Sequence, residues 1–429
     1  MHLVIGLGLV VILFLLNVPI WAAMTTSSLY LILFELGKPA TLVPISILNG
    51  VDSFTLMACP LFLIAGNIMA YGGCSPYLFN IINSFVGKIR GGVAFCTVVV
   101  SIIYGAITGS TMATLAGVSS ICLPNMLKAG YSRKFCAGLI ASCATLGQII
   151  PPSVYMIVYA SLVSANVGEL FLSGIIPGLC CGVAIGVVAY FRSPTKEDTV
   201  VAFDESTFTW GYRGNAIIKG IPALLMPLIV LGSIYSGICT PTEAGAISCI
   251  YGILVCVFIY RTMDIKTLTR SLKEAASSTS MIFMLVAASS LFAIPLTFAQ
   301  IPQTVSRYVA GTGLHGTSLI IAVTLVYLIM GCFLDPMPIM YLVVPIVLPA
   351  LQAGGVNLVH FNVVTIVAMQ IAQITPPFGV SMYVSSKMVG APIAEVVKEV
   401  IPYIAAMTVV LLLTIFFPQL SLMIPNVMK

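Results

Sequence analysis

Long apolar runs, interrupted by single polar residues or by Gly and Pro, dominate the chain. They occupy about 2–16, 18–34, 47–72, 93–127, 135–165, 170–191, 218–236, 241–260, 276–300, 317–353, 361–388 and 400–424. A β-barrel would instead show short segments alternating with a period of two. A helix must satisfy its own backbone in lipid, so the runs predict an all-α polytopic membrane protein with about ten to eleven transmembrane helices of roughly 20 residues each.

Two runs are too long for one crossing. The run 93–127 is broken near Gly105 to Ser110 and has basic residues on both sides, so it should enter the membrane and return as a re-entrant helical hairpin. The run 317–353 breaks at Leu334, Asp335 and Pro336 and has almost no Lys or Arg at its flanks, so it should enter from the opposite face.

The chain also matches itself. At an offset of 225, Leu123 and Pro124 fall on Leu348 and Pro349, and Gln148 and Ile149 on Gln373 and Ile374. The same offset places Pro151 and Pro152 on Pro376 and Pro377, and Ile176 and Pro177 on Ile401 and Pro402, while an offset of 222 places Pro19 on Pro241. Five passes in the first copy make an odd number, so the second copy is inverted. Repeat one is read as 1–192, with helices over 2–72, the hairpin 93–127 and a broken helix at 135–165. A polar linker covers 193–217, and repeat two covers 218–429, with helices over 218–300, the hairpin 317–353 and a broken helix at 361–388. Inverted repeats with matching broken helices are the pattern of secondary transporters, whose site lies near the bilayer midplane.

Composition agrees: 59% of residues are apolar, 7% are charged and the mean hydropathy is +1.12, whereas a soluble domain carries roughly 25% charge. The net charge of +5 does not point to nucleic acid. Fifteen of the 18 Lys and Arg fall in five connections, around Arg90, Arg133, Arg213, Arg270 and Lys387, which the positive-inside rule makes cytoplasmic. The start at Met1, His2 and Leu3 lacks a cationic signal-peptide region and reads as part of the first span. The twelve Cys, including the adjacent Cys180 and Cys181, lack metal-ligand spacing and read as small packing residues.

The candidate chemistry lies at the breaks. Paired prolines inside a span free backbone carbonyls, which suit a hard cation such as sodium, while the exposed N-termini of half-helices suit an anion. The stretches Gly147 to Ser153 and Gln373 to Gly379 should therefore unwind, and a purely structural kink is the alternative. The tip Gly105 to Thr111 offers glycines for a tight reversal and hydroxyls for a ligand or ion. Asp335 is an ionisable group at membrane depth and also a good helix cap before Pro336. Substrate is expected at Ser110, Thr111, Ser153, Asp335 and Pro336. Thr240 to Glu243 fits a capping box, and Asp52 and Glu35 fall near interfaces and read as solvated.

Enzymatic readings find little support. His2, His315 and His360 all fall at predicted ends or loops, which leaves no buried Ser/His or His/Glu metal constellation, and there is no Gly-Lys-Ser or Gly-Lys-Thr phosphate motif. Energy for transport would come from a gradient or a partner.

At Gly109 to Thr114, Leu123 to Tyr131, Gln148 to Pro152, Pro241 to Ala244 and Gln373 to Pro377, the sequence resembles the large membrane subunit of tripartite ATP-independent periplasmic (TRAP) transporters, of the DctM/SiaM type, over nearly its whole length. The resemblance implies an elevator-type carrier of the ion-transporter group in the bacterial inner membrane. It implies sodium-coupled uptake of an organic anion such as sialic acid or a C4-dicarboxylate, with hairpins and broken helices as the transport domain and the other helices as scaffold. It implies two partners, a periplasmic substrate-binding protein and a small membrane subunit; no extra spans precede Leu3, so that subunit is expected as a separate chain. By analogy two or more sodium ions bind, one per repeat. The first is expected at Thr108, Ser110, Gly147 and Pro151, and the second at Gly331, Cys332, Thr375, Gly379 and Met382. A stand-alone sodium/dicarboxylate carrier is the alternative within this design, and a channel or non-transporting scaffold is the alternative outside it.

Overall fold

The structure, a computed structural model, describes residues 2–193 and 209–428 except 17 and 88. The described residues are helical with no strand. Repeat one comprises α1 (His2–Leu15), α2 (Ile20–Phe34), α3 (Leu42–Val51), α4 (Ala58–Tyr71), α5 (Ser75–Val86), α6 (Gly92–Thr108), α7 (Thr111–Lys128), α8 (Arg133–Ala144), the single turn α9 (Leu146–Ile149), α10 (Val154–Val163) and α11 (Val167–Arg192). Repeat two comprises α12 (Trp210–Tyr235), α13 (Pro241–Leu254, prolonged by a π-turn Val255–Ile259), α14 (Ile265–Phe298), α15 (Ile301–Gly311), α16 (Gly316–Gly331), α17 (Pro336–Ala353), α18 (Leu358–Ala372), α19 (Val380–Val389), α20 (Ile393–Phe416) and α21 (Gln419–Val427).

The offset read in the sequence reappears as helices. Adding 225 to the bounds of α7 reproduces those of α17, and α6, α8 with α9, α10 and α11 map within two residues onto α16, α18, α19 and α20. The caps map as well. Ser132 caps α8 by accepting from the Phe135 amide, and Asn357, 225 positions on, caps α18 by accepting from Val359 and His360. Each cap satisfies a helix-end N–H that lipid could not.

Six helices are long and apolar enough to cross a membrane, and eight if each bent pair is one span. The pairs are α4 with α5, bent by 67°, and α8–α9 with α10, bent by 42°. This is fewer than the ten to eleven expected, because α1, α2, α3, α6, α16 and α18 are apolar but shorter than a full crossing. The run 47–72 also hides a break: α3 and α4 are separate, whereas their counterpart α14 is one helix of 34 residues. The linker differs from its expected bounds, since α12 begins at Trp210, capped by Thr209; residues 194–208 of that linker lie outside the described residues.

Each hairpin packs beside a broken helix. Hairpin α6–α7 lies against α8 and α9, and hairpin α16–α17 against α18. The halves also cross: α7 packs on α19 and α10 on α17. Around this body α4, α13, α14 and α2 pack together, and α11 and α20 pack side by side.

Candidate functional site at the crossing of the two broken helices

Backbone approach builds the first tip. A Cβ on Gly105 would lie 2.8 Å from the Gly147 Cα, and one on Gly147 would lie 2.3 Å from Thr114 Oγ1 and 3.0 Å from the Ser110 carbonyl oxygen. Only glycine permits this contact, because any side chain would push hairpin and broken helix apart. Gly109, at φ +58°, makes the reversal, and its carbonyl accepts from the Val154 amide at 3.4 Å. The Thr108 and Thr114 hydroxyls share a hydrogen bond of 2.8 Å. Thr108, Ser110 and Gly147 therefore come together, with Pro151 on the adjoining buried stretch.

The first broken helix unwinds between Ile149 and Val154, and the second between Ala372 and Val380. Pro151–Pro152 and Pro376–Pro377 are both cis peptide bonds. In each stretch the matched glutamine amide ties the strand to the helix that follows. Gln148 Oε1 accepts from Ser153 Oγ at 3.0 Å and from the Tyr155 amide at 3.4 Å. Gln373 Oε1 accepts from Ser381 Oγ at 3.3 Å, while its Nε2 donates to Tyr155 Oη at 3.5 Å. A polar chain thus runs from one unwound stretch to the other.

Asp335 lies beside Tyr155 and Gln373 at the end of this chain, and its Oδ1 caps α17 by accepting from the Met337 amide at 3.2 Å. Both readings of Asp335 thus have a geometric basis: it caps a helix, and it faces the crossing. Pro336 is the buried first residue of α17. Thr111 is held across the repeats, donating to Gln370 Oε1 at 2.9 Å.

The residues expected around a second ion are gathered less tightly. Gly331 packs on Ala372, three residues before Thr375, and Gly379 folds back on Gln373 to Thr375. The Thr375 hydroxyl donates to the Ile371 carbonyl at 2.7 Å, and the Cys332 thiol to the Leu328 carbonyl at 3.2 Å. Met382 is buried on α19, one turn beyond Gly379.

The histidine reading needs correction. His360 sits in the first turn of α18, buried, with Nδ1 2.7 Å from Ser421 Oγ, so a buried Ser/His contact does exist. Loop composition hid it, because α21 folds back over the start of α18. The Ser421 hydroxyl donates to the Pro418 carbonyl at 2.9 Å, so its proton is not directed at the imidazole, and the contact reads as packing. Thr240 and Glu243 form the expected capping box, and Asp52 and Glu35 are exposed. The twelve cysteines are all unpaired, most of them buried, and no group of three metal-binding side chains occurs among the described residues.

Gln148 and Gln373 stand in the repeated motif, and the sequence does not mark either as a candidate ligand. Tyr155 and Gln370 were missed, having no partner in the repeat pattern to mark them.

Two inverted helical halves, each setting a hairpin tip against an unwound span, define the class of this protein as a membrane-embedded transporter of the secondary type. The particular family follows: the chain belongs to the DctM component of the tripartite ATP-independent periplasmic transporters, whose family model matches residues 7–420. It is 34% identical over 401 residues to the C4-dicarboxylate TRAP transporter large permease protein DctM of Pseudomonas aeruginosa, covering 94% of this chain and 93% of that one. It is 30% identical over 379 residues to the sialic acid TRAP transporter large permease protein SiaM of Vibrio cholerae serotype O1, covering 88% of each. Among solved structures it is similar in fold to the YdaH transporter of Alcanivorax borkumensis, with a TM-score of 0.61 at 12% identity, over 88% of this chain and 87% of that one. Relatives of comparable identity thus carry different substrate names, so sialic acid is one of several possibilities. Membership marks a permease that is a membrane protein, and implies a periplasmic binding protein and usually a small membrane subunit.

Proposed function

We propose that this chain is the large membrane subunit of a sodium-coupled TRAP transporter that imports an organic anion, of the C4-dicarboxylate or sialic acid class, across the bacterial inner membrane. The hairpins with their broken helices move as a transport domain against the remaining helices as scaffold. A periplasmic binding protein delivers the substrate, and a small membrane subunit completes the scaffold.

The observation that supports this reading is the crossing itself. Two unwound stretches, joined through Gln148, Tyr155 and Gln373, lie between two hairpin tips. Unwound carbonyls supply neutral oxygens for sodium, and half-helix N-termini at Ser153 and Gly379 supply positive dipole ends for a carboxylate. One ion is assigned near Thr108, Ser110, Gly147 and Pro151, and another near Gly331, Cys332, Thr375, Gly379 and Met382. The anion is assigned to the space bounded by Ser110, Thr111, Ser153, Asp335 and Pro336.

The test is uptake of labelled succinate and labelled sialic acid into proteoliposomes, with and without an inward sodium gradient, adding the small subunit and binding protein in turn. Uptake that needs sodium and every component is the expected result. Uptake by this chain alone would make it a stand-alone carrier, and uptake indifferent to sodium would remove the coupling.

A further inference from the structure

Arg133 opens α8, and a cation in the first turn of a helix opposes that helix's own dipole. The neighbouring half-helix accounts for it. α19 packs on α8 and ends beside Arg133, so its last carbonyls face the guanidinium, and a helix C-terminus is where a cation is favourable. Arg133 Nη1 donates to the Val389 carbonyl at 2.7 Å, and one turn further in Ser385 Oγ donates to the Ala137 carbonyl at 2.8 Å. The two bonds set an antiparallel register, 133 against 389 and 137 against 385, and each joins repeat one to repeat two.

The other ends of the two helices are joined as well. The head of α19 is tied to the unwound stretch before it, where the Ser381 amide donates to the Gln373 carbonyl at 3.2 Å and Ser381 Oγ to Gln373 Oε1 at 3.3 Å. Gln373 reaches Tyr155, whose amide is held by Gln148 in the turn that continues α8. α8 and α19 are thus two struts of a closed bracket, bonded at the crossing and again at the cytoplasmic edge. A helix of ten residues, about 15 Å long, is rigid but too short to hold its place alone. What fixes its foot therefore fixes the reach of its head, and that head, Gly379, has no side-chain cap.

The inverted half closes the equivalent place differently. A shift of 225 puts Leu358 in the place of Arg133, Ser164 in that of Val389 and Ala160 in that of Ser385. There the hydroxyl of the buried Tyr159 donates to the Leu358 carbonyl at 3.1 Å. The fold accepts an apolar residue at this position, so the Arg133 guanidinium is an addition of repeat one. Lys134, next along, pairs with Glu395 at 3.9 Å with both side chains about half exposed, and a pair so placed contributes little.

We propose that Arg133 is a positioning residue of the carrier: by gripping the foot of α19 from repeat one, it sets how far the uncapped head, Gly379 to Ser381, reaches into the crossing, and with that the affinity for the anion. The affinity half of the proposal rests on the crossing being the binding site; the grip does not.

Two measurements on the complete transporter test the halves separately. Arg133→Met keeps most of the stem and removes the donor. Hydrogen–deuterium exchange, read by mass spectrometry, is expected to quicken in the segment 380–391 of this variant, while 154–164, closed by Tyr159, is unchanged and Lys134→Ala changes neither segment. Exchange in 380–391 no faster than in the unaltered protein would overturn the grip. In proteoliposomes Arg133→Met is expected to raise the KM of whichever of succinate and sialic acid the unaltered transporter takes up about fivefold, equivalent to ~1 kcal/mol, with kcat unchanged. Arg133→Lys, which keeps a cationic donor, is expected to recover most of that shift. An unchanged KM with exchange quickened, or a fall in kcat alone, would overturn the control of affinity. Should Arg133→Met fail to assemble, Arg133→Leu, with the residue that repeat two carries at this place, takes the same test. If the unaltered transporter takes up neither anion, the binding-site reading fails and the affinity half with it, while exchange still decides the grip.

Discussion

The two hairpin tips occupy equivalent places in the two halves and are built differently. Tip one is closed: Gly105 and Gly147 bring two backbones together, Thr108, Gly109 and Thr111 are buried, and the unwound stretch behind them is buried throughout. Tip two is open: Phe333 is 56% and Phe378 57% exposed, their rings 6.0 Å apart, and Pro377 is exposed as well. The difference follows from a few side chains. Tip one reverses through Gly109 and Ser110 and is buried; tip two reverses through Cys332, Phe333 and Leu334 and leaves the Phe333 ring exposed, although Gly331 packs on Ala372. Glycine sits on opposite members of the contact, since Gly147 corresponds to Ala372 while Ala106 corresponds to Gly331. Symmetry of fold therefore coexists with asymmetry of exposure.

The largest expected effect comes from prising tip one open. Gly147→Val places methyls where Thr114 Oγ1 and the Ser110 carbonyl already stand. The cost is expected to be about 1–3 kcal/mol, seen as a lower thermal midpoint in detergent together with lost sodium-dependent uptake. A variant that melts and transports normally would show that the tight contact is dispensable.

Next in size is Asp335→Asn at tip two. Asparagine also caps helices, so α17 should form and the chain insert, while the half-saturating sodium concentration rises about tenfold, ~1.4 kcal/mol. Unchanged sodium dependence would leave Asp335 with its capping bond to Met337 alone.

Thr111→Val cuts the bond to Gln370 that ties tip one to the other half. The expected loss is about 1 kcal/mol, measured by thermal melting, and an unchanged midpoint would mean that the tie does not hold the tip.

The smallest effect lies far from both tips. Asp264 caps α14 from the aqueous edge, and hydrogen bonds from the Thr267 side chain and amide hold its carboxyl below the ordinary range. A depressed folded value means that this contribution is complete above the unfolded value of about 3.9 and is lost as pH falls through the folded one. Melting of Asp264→Ala against the unaltered chain should therefore differ slightly at neutral pH and converge in acid. A difference that persists in acid would assign the effect to packing.

Much of the fold was legible in the sequence because lipid leaves a chain few choices. Backbone groups must be paired within helices, so apolar run length gave helices, run excess at 93–127 and 317–353 gave the hairpins, and paired prolines at 151–152 and 376–377 gave the unwound stretches. The break between α3 and α4 was not legible, since no proline pair marks it, and neither was the buried His360–Ser421 contact, whose partners are 61 residues apart. Thr108, Ser110 and Gly147 lie together because the tip is continuous in sequence and Gly147 opens the matched proline motif. Tyr155 and Gln370 were missed because their roles depend on which helix crosses which.

What the sequence determined by itself is the class of protein, the twofold internal repeat, the position of the hairpin and paired-proline breaks and the family, all of which depend on local composition and on motif spacing. Only the tertiary structure decided which tip is closed, that Thr111 bonds to Gln370 and that Tyr155 joins the two unwound stretches. The physical reason is range: a helix is specified within a few residues by its own hydrogen bonds, whereas a buried contact is specified by packing among helices that may be more than two hundred residues apart in the chain, as Thr111 and Gln370 are.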